Sequence, residues 1–242
     1  MDKNSNKATF LFSTVMVIVT ALLLSIAAIS LGPYQARNAR IEKMQNILAS
    51  IGLKSDSKET ENLFNKYIFK QVVLNHQGEE VAGVAFDIDL KKELDKAKTG
   101  QAENELFPLF ICNKEDKKFY VIPVRGKGLW GPIWGYVSLQ GDMNTVYGVS
   151  FGHKSETPGL GAEIETESFQ KRFTGKKILN ESGSFVSVKT IKGGASPSDL
   201  HAVDAISGAT VTSNGVTEML KRTLNNYLPY FKKVNRGGEL EK

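Results

Sequence analysis

The stretch Asp204-Ala205-Ile206-Ser207-Gly208-Ala209-Thr210-Val211-Thr212-Ser213 decides how this chain is read. Four small residues, Ser207 to Thr210, lead into an amphipathic run. In it Val216, Met219, Leu220, Leu224, Tyr227 and Leu228 recur at helical spacing. Ser213 or Asn214 is placed to cap the first turn. A small-residue loop feeding a helix N-terminus presents unpaired backbone N–H groups at the positive end of the helix dipole, which suits a phosphate. The same residues also make an ordinary capped turn, and by itself the loop reads as that, since such residues are common in loops.

Outward from that loop, composition sets the bounds. With 242 residues the chain is long enough for one compact domain, or two small lobes, with a real core. The formal net charge of +5 is spread over lysine pairs (Lys91-Lys92, Lys117-Lys118, Lys176-Lys177, Lys232-Lys233) with acidic residues between them. That pattern reads as a solvated surface and argues against a nucleic-acid patch. One cysteine, Cys112, excludes an internal disulfide and any cysteine-ligated cluster within the chain. Beside Phe110 and Ile111 it reads as a small buried hydrophobe.

The N-terminus reads as a membrane segment. Ala8 to Leu31 is a run of 24 residues without a charge. At about 1.5 Å per residue it can cross a hydrocarbon core of about 30 Å. The competing reading is a signal peptide cut near Ala27-Ala28-Ile29-Ser30, but the run exceeds the roughly 7–15 residues of a signal core. Basic residues flank both ends (Lys3 and Lys7; Arg37, Arg40 and Lys43), so charge gives no orientation.

Beyond the anchor, a helix is expected over 34–51, with Met44, Ile47, Leu48 and Ile51 on one face. Strands are expected over 67–74 and 81–88 as a hairpin, then a charged helix over 90–98. Further strands are expected over 119–124, 134–140, 145–151 and 185–191, with a turn at Gly141-Asp142-Met143-Asn144. Without βαβ regularity, the class is α+β: one N-terminal transmembrane helix, then a mixed, largely antiparallel-sheet domain with flanking helices. The expected division is a tail over 1–7, the span over 8–31, a helical linker over 32–66 and an extracytoplasmic domain over 67–242.

Two strings bear on chemistry. Gly126-Lys127-Gly128-Leu129-Trp130-Gly131 spells G-x-G-x-x-G, yet Pro132 and another strand-like run follow where a dinucleotide site needs a helix. The glycines are expected to allow tight packing, with Trp130 and Trp134 as core or interface anchors. In His153-Lys154-Ser155-Glu156-Thr157-Pro158-Gly159-Leu160-Gly161, the proline and glycines shape a turn that by itself reads as an ordinary surface turn, though a flat ligand could approach it closely. Thr157 and backbone N–H groups would be its donors and Leu160 its apolar face. His76, His153 and His201 have no fixed-spacing catalytic partner and read as structural. Glu163, Glu165 and Glu167 alternate as on a strand face, without a metal assignment. No catalytic residue and no metal ligand is assigned.

The strings also resemble known patterns. Asp204–Thr210 resembles the flavin-attachment motif D-x-x-S/T-G-A-T. GKGLWGPIWGY (126–136), the 142–148 run ending NTVYG with Val149 after it, ETPGLGAEI (156–164), GKK (175–177) and VDAISGATVTSNGV (203–216) occur in one order behind an anchor. Together they resemble the C-subunit family of sodium-translocating NADH:quinone reductases, over nearly the whole chain. The related G-subunit family of Rnf electron-transport complexes shares ETPGLG and SGAT but as a rule lacks the GKGLWGPxxGY run. The departure here is Ala205, where glycine is frequent.

The resemblance implies an FMN-binding domain on the periplasmic side of the bacterial inner membrane, held by one helix. It implies FMN joined through its phosphate to Thr210 by a separate magnesium-dependent flavin transferase that uses FAD, with Asp204 serving recognition or activation there. Ser207, Gly208 and Ala209, with Thr157, Gly159, Leu160 and Gly161, would complete the cofactor site. The implied role is electron relay, without the NADH or quinone site, in a complex that oxidises NADH, reduces quinone such as ubiquinone and exports Na+. Its partners would be the other subunits, the transferase and the membrane. The alternatives are a flavoprotein like the G-subunit of an Rnf-type complex, and a membrane-anchored binding protein without covalent flavin.

Overall fold

A computed structural model describes residues 6–240, with side chains through residue 235. The chain forms two compact units, one up to Lys43 and one from Met44 onward. The elements in order are α1 (Asn6–Ser50), α2 (Thr60–Tyr67), β1 (Ile68–Leu74), β2 (Glu80–Val81), α3 (Leu90–Lys98), β3 (Phe107–Lys114) and β4 (Lys117–Lys127). Next come β5 (Pro132–Leu139), β6 (Val146–His153), α4 (Glu167–Gln170), β7 (Lys189–Ile191), β8 (Ala202–Asp204), α5 (Thr210–Asn225) and α6 (Leu228–Leu240).

The first unit holds the apolar part of α1. An 18-residue window of that helix has mean hydropathy 2.5 and none of it is buried, so by length and composition it can cross a membrane. The expected span and the helix after it are one continuous element, with Pro33 inside it.

In the second unit a six-stranded antiparallel sheet runs in the order β2-β1-β3-β4-β5-β6. Successive side chains of a strand point to opposite faces, and the core divides accordingly. Leu109, Ile111, Tyr120 and Ile122 face one cluster, which also contains Val216, Met219, Leu220 and Leu224 of α5 with Tyr227 and Phe231 beyond it. Phe110, Cys112, Phe119 and Val121 face the other, with Met44, Ile47 and Leu48 from the end of α1, Ile51 just after it, and Phe64 of α2. Helices thus cover both faces of the sheet, and the α+β antiparallel class holds. Cys112 is buried, and loss of hydration pushes its thiol up to about 11.

Several elements differ from expectation. Strand β3 was not expected, because its continuous run Phe-Pro-Leu-Phe-Ile-Cys lacks the alternation that marks a half-buried strand; both its faces are buried. The second hairpin arm shrinks to β2, since Ala85 and Phe86 leave the sheet in a short 3₁₀ turn and pack under it. Strand 185–191 shrinks to β7, because Ser187 takes φ +63° and breaks the run. The glutamates Glu163 to Glu167 lie on a 3₁₀ turn, Gly161–Glu165, and the start of α4, so no strand face aligns them. Helix α3 stands as expected, with Asp89 accepting from the Lys91 and Lys92 amides at its N-terminus.

Helix α5 lies directly on β4. A Cβ on Gly126 would come within 2.7 Å of the Met219 Cβ, and one on Gly215 would collide with the Lys127 carbonyl. Paired glycines therefore let the helix backbone touch the strand backbone, which fixes the start of α5 against the sheet.

Candidate functional site

Helix α5 begins earlier than its apolar periodicity suggested. Thr210 is its first residue and Ala209 its N-cap, with no side-chain cap bond. Ser213 is not the cap. It lies a turn inside the helix, buried, and its Oγ accepts the Ile206 amide at 3.1 Å. That bond folds the small-residue loop back over the helix end, while Gly208 supplies the left-handed turn at φ +77°. The Thr210 side chain is exposed at the first position of a 16-residue helix, where the first amides have no intrahelical acceptor.

The second string comes to the same place. The Leu160 Cδ2 lies 2.7 Å from where a Cβ on Gly208 would stand, so Leu160 sits on the glycine of the SGAT loop. Leu160 is 40 % exposed and turns a partly apolar surface outward beside the SGAT loop. Its loop is a tight turn: the Thr157 carbonyl accepts the amides of Leu160 and Ala162, both at 3.1 Å. Gly159 sits at φ +75° with no neighbour within 4 Å of a Cβ, and its amide donates to Glu163 Oε1 at 3.1 Å. Gly161 is buried behind the turn, where a Cβ would meet the Thr212 hydroxyl at 2.7 Å.

A carboxylate holds these pieces together. Glu156 is 5 % exposed. Its Oε1 accepts the amides of Trp130 at 2.8 Å and Gly131 at 3.3 Å, and its Oε2 accepts the Thr212 hydroxyl at 2.5 Å. Burial alone would raise its pKa, but the bonds from Thr212, Trp130 and Gly131 outweigh it and hold the carboxyl below the usual glutamate value. Gly128 is required beside it, since a Cβ there would stand 2.7 Å from Oε1. The G-x-G-x-x-G string is therefore the β4–β5 turn that wraps a buried carboxylate. Trp130 is 67 % exposed and is no core anchor, while Trp134 packs over Gly152. Sequence reasoning did not single out Glu156; the available signal was a glutamate directly before the Thr-Pro-Gly turn.

His153 is structural in the same way: its Nδ1 accepts the Glu156 amide at 3.1 Å. His201 Nδ1 lies 2.7 Å from the Lys177 carbonyl.

A cleft of about 640 Å³ opens beside the two loops, lined by Gly159, Glu163, Arg172, Asp204, Ile206 and Ser207 among others. That size lies within the roughly 300–1,000 Å³ of small-molecule sites. Arg172 crosses its wall, donating to the Asp204 carbonyl at 3.0 Å and lying over the Phe169 ring. Asp204 Oδ1 accepts the Ala195 amide at 2.7 Å and so pins the Gly193–Gly194 bend. The structure thus brings Thr210, Gly208, Leu160 and the Thr157–Gly159 turn together. Asp204 and Ser207 line the adjoining cleft, Ala209 is the buried N-cap, and Gly161 is turned inward.

An exposed hydroxyl on a helix N-terminus, a glycine turn below it and an apolar side chain beside it fit a phosphate carrying a flat ring.

Comparison with known proteins points the same way. Residues 128–225 match the family model of the FMN-binding domain. The chain is 34 % identical over 236 residues to the C-subunit of the Na(+)-translocating NADH-quinone reductase of Vibrio vulnificus, covering 91 % of this chain and 92 % of that one. It is 32 % identical to the corresponding C-subunit of Vibrio anguillarum over 98 % of each. Among solved structures, the C-subunit from Parabacteroides distasonis superposes with TM-score 0.74 at 42 % identity, covering 82 % of this chain and 95 % of that one. Shewanella oneidensis NqrC superposes with TM-score 0.69 at 25 % identity, covering 81 % and 98 %.

Proposed function

This chain belongs to the C-subunit family of Na(+)-translocating NADH-quinone reductases, and from that premise we infer that it relays electrons through an FMN esterified to Thr210. The observation that carries the reading is the meeting of the two loops: Leu160 sits on Gly208, two residues before an exposed Thr210 at the first position of α5.

The residues fit such a group. The α5 N-terminus and the small side chains of Ser207, Gly208 and Ala209 would receive the phosphate. Thr157, Gly159 and Leu160 would hold the ring from the side. Gly161 would act from behind by leaving room for Glu156 and Thr212. The flavin, when bound, supplies one- and two-electron chemistry, and the protein sets its position and surroundings. Glu156 ties the start of α5 to the 156–161 and β4–β5 turns, so the residues that would surround the ring are positioned by a buried hydrogen-bonded carboxylate.

The Thr210 hydroxyl has no base bonded to it among the described residues. A threonine hydroxyl is a weak nucleophile without one, so esterification is assigned to an external flavin transferase, with Asp204 on the approach. NADH oxidation and quinone reduction belong to other subunits of the complex, and Na+ export to the complex as a whole. The membrane span lies over 8–31, in the inner membrane, and the flavin domain over 67–242 on the periplasmic side, with Met44, Ile47, Leu48, Ile51 and Phe64 packed into its core.

The test is the flavin fluorescence of the denatured, gel-separated chain expressed with its transferase. A fluorescent band at the chain's mass is expected. A dark band in a chain that folds and joins its complex would leave a membrane-anchored protein without covalent flavin.

A further inference from the structure

A second cleft, of about 480 Å³, lies away from the SGAT loop between α3, the end of β4, the start of β5, the segment after β6 and the C-terminal half of α5. Six cationic side chains line it: Lys91, Lys98, Arg125, Lys127, Lys154 and Arg222. They face one carboxylate, Asp95, which is already paired with Lys98 at 2.6 Å. Arg222 donates to the Arg125 carbonyl at 2.8 Å, which orients its guanidinium along the same wall. The chain's formal net charge is only +5 over 242 residues, so this cleft gathers a share of positive charge that the scattered lysine pairs did not suggest.

The cleft reaches toward the start of α5 by two routes. Gly131 lines it, and Gly131 donates to Glu156. A smaller hollow of about 280 Å³ shares Gly126, Lys127 and Arg222 with it and continues along α5 to Gly215 and Asn214, one turn from Thr210. Lys91 and Lys98 stand two helical turns apart on α3, about 10 Å along the axis at 1.5 Å per residue. That spacing is too long for one phosphate and fits an extended segment with several carboxylates. The exposed apolar residues Leu129 and Trp130 lie on the turn next to it, so the surface combines an aromatic centre with a charged flank, as protein interfaces do.

We propose that this basic cleft is the docking surface for an acidic segment of a neighbouring subunit, which seats that subunit beside the flavin loop. The proposal rests on the electron-relay reading for its purpose, though not for its chemistry. Lysines on the rim of such a contact act chiefly on the rate and salt dependence of productive encounter.

The test uses the assembled complex in membranes. Zero-length carbodiimide cross-linking, mapped by mass spectrometry, should join Lys91, Lys98 or Lys154 to aspartate or glutamate of another subunit. The double variant Lys91→Glu/Lys98→Glu should slow reduction of the chain's flavin by NADH about tenfold at low salt and flatten its salt dependence. Flavin fluorescence per chain should stay unchanged. The neutral pair Lys91→Gln/Lys98→Gln should fall between the two. Absence of those cross-links, or a double variant with wild-type rate and salt dependence, overturns the proposal. So does loss of binding to anionic phospholipid vesicles by the variant without inter-subunit cross-links, which would assign the cleft to lipid headgroups. If the chain proves to carry no flavin, the relay reading fails while the cross-link map still decides what fills the cleft.

Discussion

Glu156 Oε2 accepts the hydroxyl of Thr212 at 2.5 Å, two residues beyond the exposed Thr210. The pair joins the 156–161 turn to α5, and through the Trp130 and Gly131 amides the same carboxylate reaches the β4–β5 turn.

That carboxylate makes stability depend on pH with a definite sign. Its folded pKa lies below the unfolded value. Its contribution is therefore present above the unfolded pKa of about 4.3 and is lost as pH falls through the folded value. Glu156→Gln should lower stability at pH 7 by about 1–3 kcal/mol. The gap to wild type should close as pH drops below about 4. Denaturant unfolding at a series of pH values reads both, and a gap that persists at low pH would show that the charge is not what matters.

Thr210 and Thr212 are close in sequence but not alike. Thr210 is exposed, whereas Thr212 is buried with its hydroxyl committed to Glu156. Thr210→Ala should abolish covalent flavin. Thr212→Ala should keep it while costing about 1–3 kcal/mol, because Glu156 loses a buried donor. Intact-protein mass after coexpression with the transferase decides; one FMN on Thr210→Ala protein would move the attachment elsewhere.

Gly159 and Gly208 separate folding from flavin environment. Gly208→Ala combines a φ of +77° with a clash against Leu160 and should be poorly tolerated. At Gly159 a Cβ would meet no atom within 4 Å, so the cost of Gly159→Val comes chiefly from the strained φ of +75°, about 1–2 kcal/mol. A folded Gly159→Val protein should retain covalent FMN, with shifted flavin absorbance or midpoint potential and slower quinone reduction. Wild-type spectrum, potential and turnover would remove this turn from the ring's surroundings.

Protease added to spheroplasts should digest the domain beyond Tyr34 and leave the N-terminal apolar segment in the membrane. Protection of the domain in intact spheroplasts would reverse the topology.

How much was legible in the sequence follows from what local pattern encodes. The α5 face from Val216 to Leu224 and the α1 face from Met44 to Leu48, with Ile51 just past its end, were readable because helical periodicity reports one buried side, and all those apolar positions are buried. Strand β3 was not, since a run buried on both faces carries no period. The start of α5 was misplaced because Ser213 has the chemistry of a cap but spends its oxygen on Ile206, a contact set by how the loop folds back. Contact between Leu160 and Gly208 joins residues 48 positions apart, and nothing local to either predicts it. The same holds for Glu156, whose partners lie 25, 26 and 56 residues away.

The glycine pair at Gly126 and Gly215 has a mechanical consequence. With backbone against backbone, the front of α5 has no slack relative to β4 and therefore none relative to the six strands behind it. Any group joined to the Thr210 hydroxyl would be rooted in the whole sheet, and its point of attachment would move only as that block moves.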